Sequence, residues 1–436
     1  MYSPFCVIRP TSIQTQTRVE KPPGINSAVR IPDGTASATH DMKRGFKLIV
    51  LLALVAGLGP MSIHVILPAL PSIKSDFNAS NTVTQLTLTL GVITMAVATI
   101  GFGPAADRFG RRPVTICGLI LYTAGSALCV WSPDIQLLVV GRVVQALGGG
   151  AGIVVARAII RDLYNREETA RVLGQVMSII VFAPILAPVL GGFISEILGW
   201  HAVFMIAAAM GFIALAAVLP GLRETRPSSA QAQSLLQVFR AFPGLLSTPA
   251  FVAYAGYAGC GMGMFMVIAG GAPFLIVEAF DLPPSAFGLY FMLLTGSFFF
   301  GTLASSRLSE RVGLDRMIRI GSTGAASFSI LIPVLFLSGV HTPWSIFVPG
   351  FAMGLCHGLA MPNAQAGAVS VNPQLAGSAS GLMTFTQLSI GAGFGQVAGM
   401  LPHDTPLPVA FLVSAAGLGA FLVYNVPMFF ERRKSP

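Results

Sequence analysis

Long apolar runs separated by short polar connections are the dominant pattern of this 436-residue chain. Each run is close to the roughly 20 residues that a helix needs to cross the apolar core of a bilayer. Twelve such runs predict an all-α membrane protein with twelve transmembrane helices. Their approximate ranges are 46–70, 83–103, 113–132, 135–157, 170–195, 201–222, 249–276, 286–305, 316–338, 343–364, 377–401 and 406–430.

The composition agrees with a chain embedded in lipid. Hydrophobic residues make up 54% of the sequence and charged residues only 10%, whereas an ordinary soluble domain is about 25% charged. So few charges cannot cover a water-facing surface, which excludes a soluble enzyme, a nucleic-acid-binding protein and a disordered chain. The 48 glycines and 30 prolines are typical of membrane helices that pack closely and bend.

The distribution of basic residues predicts the orientation of the helices. All but two of the 26 Lys and Arg residues lie on one side: in the N-terminal segment up to Lys47, after the last run, or in alternate connections and the run ends that flank them. Because Lys and Arg concentrate in cytoplasmic loops, we expect both termini to be cytoplasmic. The two exceptions are Lys74, on the opposite side, and Arg142, inside the fourth run.

The two halves of the chain repeat one another. Gly103 to Gly110 closes the connection after the second run, and Gly301 to Gly313 closes the connection after the eighth. The repeat predicts two six-helix bundles, residues 46–222 and 249–430, with a cavity between them near the bilayer midplane, as in secondary transporters. Between the bundles, the linker 223–248 carries apolar residues at the spacing of an amphipathic helix on the bilayer surface: Leu235, Leu236, Phe239 and Phe242.

Both ends of the chain are polar. Residues 1–45 are expected to be a disordered cytoplasmic extension, and residues 431–436 a cytoplasmic tail. An alternative start is Met42, because Met42-Lys43-Arg44 directly before an apolar helix is an ordinary beginning for an inner-membrane protein. The Ser and Thr content of the extension leaves a transit peptide as a further alternative.

The connection after the second run combines an acid, turn glycines and three arginines at fixed spacing: Gly103, Asp107, Arg108, Gly110, Arg111 and Arg112. This pattern resembles the loop signature of the major facilitator superfamily. Further segments resemble its Bcr/CflA (bicyclomycin/chloramphenicol resistance) branch of drug:proton antiporters: Leu67-Pro68-Ala69-Leu70-Pro71, Gln85-Leu86-Thr87-Leu88, Arg161-Asp162-Leu163-Tyr164, and Gly377-Ser378-Ala379-Ser380 followed by Gln387. The resemblance, which covers the chain from about residue 46, implies drug export coupled to proton entry.

The loop has a physical interpretation as a gating latch. Asp107 can accept hydrogen bonds from Arg111 or Arg112 and can face the positive N-terminal end of a helix from the other half. Such a latch would close the cytoplasmic side and open when the halves rock. The alternative is that these charges only set the orientation. In the second copy of the repeat, Ser305 replaces the acid, so a weaker latch or none is expected there.

Arg142 is predicted to be a charge inside the membrane. It lies about seven residues into the fourth run, roughly 10 Å deep at 1.5 Å per residue, where arginine costs about 2.5–3.5 kcal/mol to insert. Gly141-Arg142-Val143-Val144-Gln145 followed by three glycines resembles the superfamily's fourth-helix motif, which implies a role in proton transfer for Arg142 and Gln145. The alternative is an arginine that backbone carbonyls hold for packing alone.

His64 stands where members of the branch commonly carry an acid, just before the Leu-Pro-Ala-Leu-Pro segment. Its predicted depth is close to that of Arg142, and no Asp or Glu lies within the first four runs away from their ends. His64 is therefore a candidate proton-carrying residue. The alternative is a neutral histidine that bonds within the helix interface or touches substrate.

The fifth run resembles the superfamily's antiporter motif. Pro184, Pro188, Gly191 and Gly192 lie within it, and Gly174 precedes Pro188 by the spacing of that motif. Small residues allow helices to approach closely and prolines bend them. The resemblance favours export over uptake, although membrane helices in general are rich in Gly and Pro.

Five residues in other runs are candidates for a substrate cavity: Gln85, Tyr257, Phe265, His357 and Gln387. Amides in a membrane helix suit ligand contact, and the Met- and Phe-rich seventh run offers the adaptable apolar surface of promiscuous binders. The alternatives are lipid-facing Met and Phe side chains and a packing histidine. Glu196 and Glu278 end their runs and are expected to lie in water.

These features together predict a secondary exporter of small drug-like molecules by proton antiport and alternating access; the alternative is a carrier of a specific metabolite on the same fold. No phosphate-binding Gly-x-x-x-x-Gly-Lys-Ser/Thr loop or metal-ligand cluster is visible. We therefore expect no catalytic residues, no metal and no cofactor other than the coupling proton. The expected partners are a small-molecule substrate and the lipid bilayer, without nucleic acid. The protein is expected to be a monomer in the bacterial inner membrane.

Overall fold

The protein is described here by a computed structural model, which covers residues 34–226 and 235–434. These ranges contain helices and no strand. The α-helices are α1 (Gly34–Val65), α2 (Leu70–Asp76), α3 (Asn81–Phe109), α4 (Arg111–Val130), α5 (Ile135–Leu163), α6 (Arg166–Leu198), α7 (Trp200–Gly221), α8 (Leu235–Leu246), α9 (Pro249–Phe274), α10 (Pro284–Val312), α11 (Leu314–Leu337), α12 (Trp344–Ser370), α13 (Ala376–Met400) and α14 (Leu407–Lys434).

Every predicted run corresponds to a long helix, so the predicted all-α membrane fold is confirmed. Within the described residues, eleven helical segments are long and apolar enough to cross a membrane. The twelfth run corresponds to α13, whose 25 residues are long enough at 1.5 Å per residue. Two glutamines and many small residues make α13 less apolar than the others. It packs against α3 and α9, so its neighbours shelter part of its polar surface from lipid.

Helix ends follow local sequence signals. The side chain of Asp134 accepts a hydrogen bond from the backbone N–H of Leu137 and so caps α5. Asn165 and Glu168 form a reciprocal capping box at the start of α6. Gly110 and Gly313 adopt φ values of 103° and 87° between consecutive helices, a backbone region that favours glycine.

The predicted chain ends differ in part from the structure. Of the extension 1–45, residues 1–33 lie outside the described residues, and residues 34–45 belong to α1 although they were expected to be disordered. No proline follows Pro32 in this stretch, so the helix of the first apolar run can extend backwards. At the other end, α14 continues to Lys434. Part of the linker, 227–234, is also outside the described residues, and α8 lies where an amphipathic helix is predicted.

We call residues 46–226 the first half and residues 249–434 the second half. The arginine-rich end is the end with the α3–α4, α5–α6 and α10–α11 connections. The arginine-poor end is the end with the α2–α3, α4–α5, α9–α10, α11–α12 and α13–α14 connections. Between the halves, α3 packs against α13 and α6 packs against α10.

The buried apolar core shows where the halves separate. Toward the arginine-poor end, one continuous cluster includes residues of both halves, such as Leu67 of the first and Phe274 of the second. Toward the arginine-rich end the core divides: one cluster around Tyr122 belongs to the first half, and another around Tyr257 belongs to the second. The halves therefore share a core at one end and have separate cores at the other.

Candidate functional site

Arg142 lies at the centre of a polar cluster inside the first half. Its side chain is 1% exposed. Its Nε donates to the carbonyl of Thr87 at 3.2 Å, and its Nη1 donates to the carbonyl of Ser62 at 3.1 Å and to Oε1 of Gln145. The Nε2 of Gln145 in turn donates to Oγ of Ser126 at 2.7 Å. The guanidinium thus joins α5 to α1 and α3, and the amide of Gln145 extends the cluster to α4.

The charge of Arg142 is only partly compensated. Among the described residues no carboxylate pairs with it, and its Nη2 has no hydrogen-bond partner. The ring of Phe204 lies 5.9 Å from its Cζ, close enough for a cation–π interaction. Because arginine keeps its proton in proteins, the group can attract an anionic or carbonyl oxygen but cannot itself carry a proton.

His64 follows the Arg142 cluster along α1. It is 8% exposed, and its Nδ1 lies 2.7 Å from the carbonyl of Pro60 one turn earlier. With a carbonyl as partner, Nδ1 is the protonated nitrogen, and Nε2 is the one left to accept a proton. The side chains of Arg142 and His64 have different partners, but Arg142 contacts α1 at the carbonyl of Ser62, two residues before His64.

The connection between α3 and α4 is organised around Arg111. Its Nη1 donates to Oδ1 of Asp107 at 2.5 Å and its Nε donates to Oδ2 of Asp162 at 2.9 Å. The guanidinium is 7% exposed, so two carboxylates neutralise a charge that is nearly buried. All three residues belong to the first half. In this conformation Asp107 is thus bonded to its own loop, as predicted for the partner Arg111.

Sequence reasoning missed Glu224, which follows α7. Its carboxylate accepts the backbone N–H groups of Arg111 and Arg112 at 2.8 and 3.1 Å, and also those of Thr225 and Arg226. Partial burial raises the pKa of this carboxyl, but the four N–H donors outweigh burial and hold it below its usual range. A Cβ on Gly110 would lie 2.7 Å from Oε2 of Glu224, so this position requires glycine for space as well as for its φ.

In the corresponding connection of the second half, Ser305 takes the position of Asp107. Oγ of Ser305 accepts from Nδ2 of Asn363 at 2.8 Å, a neutral contact in place of the ion pairs around Arg111. The prediction of a weaker second latch rests on this substitution.

The fifth run forms α6, and its small residues lie at helix contacts of the arginine-poor end. A Cβ on Gly191 would collide with the carbonyl of Val65, and a Cβ on Gly192 would lie 2.8 Å from Cα of Ser285 in the second half. A Cβ on Gly288 of α10 would likewise collide with the carbonyl of Pro188. Pro184 lies inside the same unbroken helix. Gly174 has no neighbour within 4 Å of an added Cβ and makes no such contact.

The predicted cavity residues separate into two groups. Tyr257 and His357 are buried in the second half, where the Tyr257 hydroxyl lies 3.1 Å from Nδ1 of His357 and the ring of Phe298 packs against the imidazole. Phe265, in edge contact with another ring, and Gln387 are half-buried. In this conformation, Phe265 and Gln387 therefore keep more exposed surface than Tyr257 and His357.

Gln85 is fully buried between the halves, where its amide packs against three glycines of the second half: Gly270, Gly395 and Gly399. Neither polar atom of the amide has a hydrogen-bond partner among the described residues. In this conformation Gln85 therefore does not line an open cavity.

The arginine-poor end carries the polar bonds that join the halves. Nζ of Lys74 lies 2.6 Å from Oε1 of Glu278. Glu278 and Glu196 are both exposed at their helix ends, as predicted, and Glu278 in addition forms this ion pair. Nδ2 of Asn81 lies 2.9 Å from Nδ1 of His403. Nε2 of Gln396 donates to the carbonyl of Thr82 at 3.1 Å. At the arginine-rich end, the described hydrogen bonds and ion pairs are made within one half. Over the described ranges, no group of three or more His, Cys, Asp or Glu side chains could hold a metal ion.

Comparison with known proteins identifies the architecture. The model of the Major Facilitator Superfamily matches residues 52–396. A bicyclomycin resistance protein homolog of Haemophilus influenzae is 26% identical over 398 residues, which cover 88% of this chain and 97% of that protein. Multidrug resistance protein D of Escherichia coli is 26% identical over 86% of this chain and 94% of its own length.

Solved structures agree on the fold. A bacterial homolog of the human lysosomal transporter Spinster, in an inward-facing and unoccupied conformation, superposes with a TM-score of 0.69 at 17% identity, covering 89% of this chain and 96% of that one. The xylose transporter XylE of E. coli, in a partially occluded inward-open conformation, gives a TM-score of 0.69 at 14% identity, covering 90% and 98% of the two chains.

Proposed function

Because the chain belongs to the Major Facilitator Superfamily, a family of membrane transporters of small molecules, we propose that it exports drug-like molecules in exchange for protons by alternating access. The divided core supports the mechanism. The halves share a core and polar bonds at the arginine-poor end and have separate cores at the other. The relatives named for bicyclomycin and multidrug resistance support the substrate class.

The orientation follows from the arginines. With the arginine-rich end in the cytoplasm, the protein is a monomeric, multi-pass protein of the bacterial inner membrane with both termini cytoplasmic. The conformation described here is then open toward the cytoplasm. A substrate would enter from the arginine-rich end, and the unpaired Nη2 of Arg142 would attract a carbonyl or anionic oxygen of the substrate.

The proton needs a carrier other than Arg142. We assign this role to His64, because it is the ionisable side chain of α1 next to the Arg142 cluster and its Nε2 remains to accept a proton. Protonation would place a second cation near a guanidinium. Proton binding and substrate binding would therefore influence each other, as antiport requires.

The test is proton movement in proteoliposomes that contain purified protein and a pH-sensitive dye. Phenicols, bicyclomycin, sulfonamides and lipophilic cations are added one at a time, with Arg142→Met as the matched inactive variant. A substrate-dependent proton flux that this variant lacks is the expected result. If folded protein gives no proton flux with any compound of the panel, a carrier of a specific metabolite is favoured instead. The shortage of carboxylates in the membrane interior then favours a neutral or anionic substrate.

The role of His64 has a separate test. In His64→Ala, transport down a substrate gradient should persist, whereas accumulation driven by a pH gradient should fail. His341→Ala is the matched control, because His341 is exposed at the arginine-poor end. Proton-driven accumulation at the wild-type level in His64→Ala would show that another group carries the proton.

A further inference from the structure

One side of α3 carries polar residues where apolar ones would be expected. Asn81, Gln85 and Thr89 follow one another at intervals of four residues, so they lie on the same side of the helix. α3 packs against α13 of the second half, and Asn81 and Gln85 both contact that half. We call these residues, together with Gln396 of α13 and His403 of the following connection, the polar seam.

The polar seam is incompletely bonded although Gln85, Thr89 and His403 are buried and Asn81 and Gln396 are half-buried. Gln85 is 0% exposed. Its Nε2 and Oε1 have no hydrogen-bond partner among the described residues, and the same holds for single atoms of the other four seam residues: Oδ1 of Asn81, Oγ1 of Thr89, Oε1 of Gln396 and Nε2 of His403. Two seam bonds join the halves, but they satisfy only part of these side chains. A buried polar group without a partner is costly, whereas in water it would be satisfied.

The shape of the contact explains why Gln85 finds no partner. Its amide enters a notch of three glycines, which offer no side chain that could bond to it. A Cβ on Gly270 would lie 2.5 Å from Nε2 of Gln85, and a Cβ on Gly399 would lie 2.5 Å from its Cβ. Contact between the halves therefore brings the backbones of α9 and α13 against the side chain of Gln85. The notch has no room for a larger residue at Gly270 or Gly399.

Two opposing contributions thus act at this end. The shared apolar core and the Lys74–Glu278 ion pair favour contact between the halves, while the unpaired polar atoms disfavour it. We propose that the polar seam is the gate of the arginine-poor end, and that its unpaired groups keep the closed gate metastable so that it reopens in each cycle. This inference rests on the proposed alternating access and adds the residues that set the balance between its two states.

The experiment measures the open and closed populations directly, without substrate. Spin labels at Gln136 and Thr342, exposed positions at the arginine-poor end of the two halves, report their separation by pulsed EPR in a cysteine-free background. Gln85→Met keeps the unbranched shape and removes both unpaired atoms. Relief of an unpaired polar group should raise the ratio of closed to open protein by about 5- to 150-fold. Thr89→Val should act in the same direction.

Two further variants make the test specific. Gly399→Ala places a methyl group against Gln85 and should lower the closed population, the opposite direction to Gln85→Met. Thr84→Val is the matched control, because Thr84 is also buried on α3 but its hydroxyl is bonded to the carbonyl of Ser80. The closed population of Thr84→Val should equal that of the parent protein. A variant that merely perturbs folding would not reproduce this pair of opposite shifts.

The outcomes separate this inference from the proposed function. If the labels report two distances and Gln85→Met leaves their ratio unchanged, the seam does not set the balance, although alternating access stands. If Gln85→Met lowers the closed population, the unpaired amide is not a penalty and the inference is overturned. A single short distance in every variant, including Gly399→Ala, would overturn both the gate and the alternating access on which it rests.

Discussion

We expect Arg142→Met to abolish transport while the protein remains folded. The substitution removes two hydrogen bonds to backbone carbonyls and one to Gln145. The two bonds to carbonyls contribute about 1.5–3 kcal/mol each. The bond to Gln145 is counted only through its stranded acceptor, which costs about 1–3 kcal/mol. Against this stands the relief of about 2.5–3.5 kcal/mol from no longer inserting an arginine charge. The net loss is then about 1–6 kcal/mol, within the ~5–15 kcal/mol typical of folded proteins.

The assay compares thermal unfolding in detergent with substrate flux in proteoliposomes. A second variant, Arg142→Met with Gln145→Leu, also removes the stranded amide, so it should regain stability but not transport. Ser126 tolerates this change, because its hydroxyl already donates to the carbonyl of Tyr122. If the single or the double variant transports at the wild-type rate, Arg142 only packs the first half and has no role in transport.

Three further predictions concern the two ends of the molecule. Asp107→Asn should slow transport several-fold in folded protein, because Arg111 keeps its second carboxylate; normal flux would contradict a gating role. Glu224→Gln should lower the melting temperature at neutral pH. Because the pKa of Glu224 is held below its usual range, the difference in melting temperature between wild type and Glu224→Gln should be largest above about pH 4.5. It should disappear as the pH falls through the lowered pKa. A difference that persists in strong acid would exclude the carboxylate as its cause. Burial lowers the pKa of His403, and the Lys74 charge lowers it further against the opposing effects of nearby acids. Protonation of His403 should therefore disfavour the closed arginine-poor gate, so the closed population should be largest above about pH 6.5 and fall below that pH. EPR distances that do not change between about pH 7.5 and 5.5 would contradict this.

The helices could be predicted from the sequence because the length of an apolar run is a property of consecutive residues. The same holds for Gly110 and Gly313, whose turns follow from local sequence. The position of Arg142 within its run likewise placed it at the level of α1 near His64. The start of α1 was missed because the segment 34–45 is polar, and a helix can extend into polar residues without an apolar signal.

Contacts between the halves could not be predicted in this way. Lys74 and Glu278 are 204 positions apart, and Asn81 and His403 are 322 apart. Their meeting depends on the rotation of each helix and on the conformation of the transporter, which the pattern along the chain does not contain. Glu224 did leave a signal, since it is the single acid in a basic stretch after the sixth run; its four backbone partners became visible only when the loop was folded.

The two ends of the protein differ in how completely their polar and charged side chains are hydrogen-bonded. At the arginine-rich end, Asp107, Asp162 and Glu224 make their bonds within the first half, so separation of the halves leaves these three carboxylates bonded. At the arginine-poor end, the halves meet at a cost, because the amide of Gln85 has no hydrogen-bond partner and each other residue of the polar seam keeps one unpaired atom. The first arrangement lowers the free energy of the observed conformation and the second raises it. A transporter needs its two conformations within a few kcal/mol of each other, and these opposed contributions provide such a balance. It follows that a substitution that improves bonding in the polar seam should slow the cycle, even though it makes the observed conformation more stable.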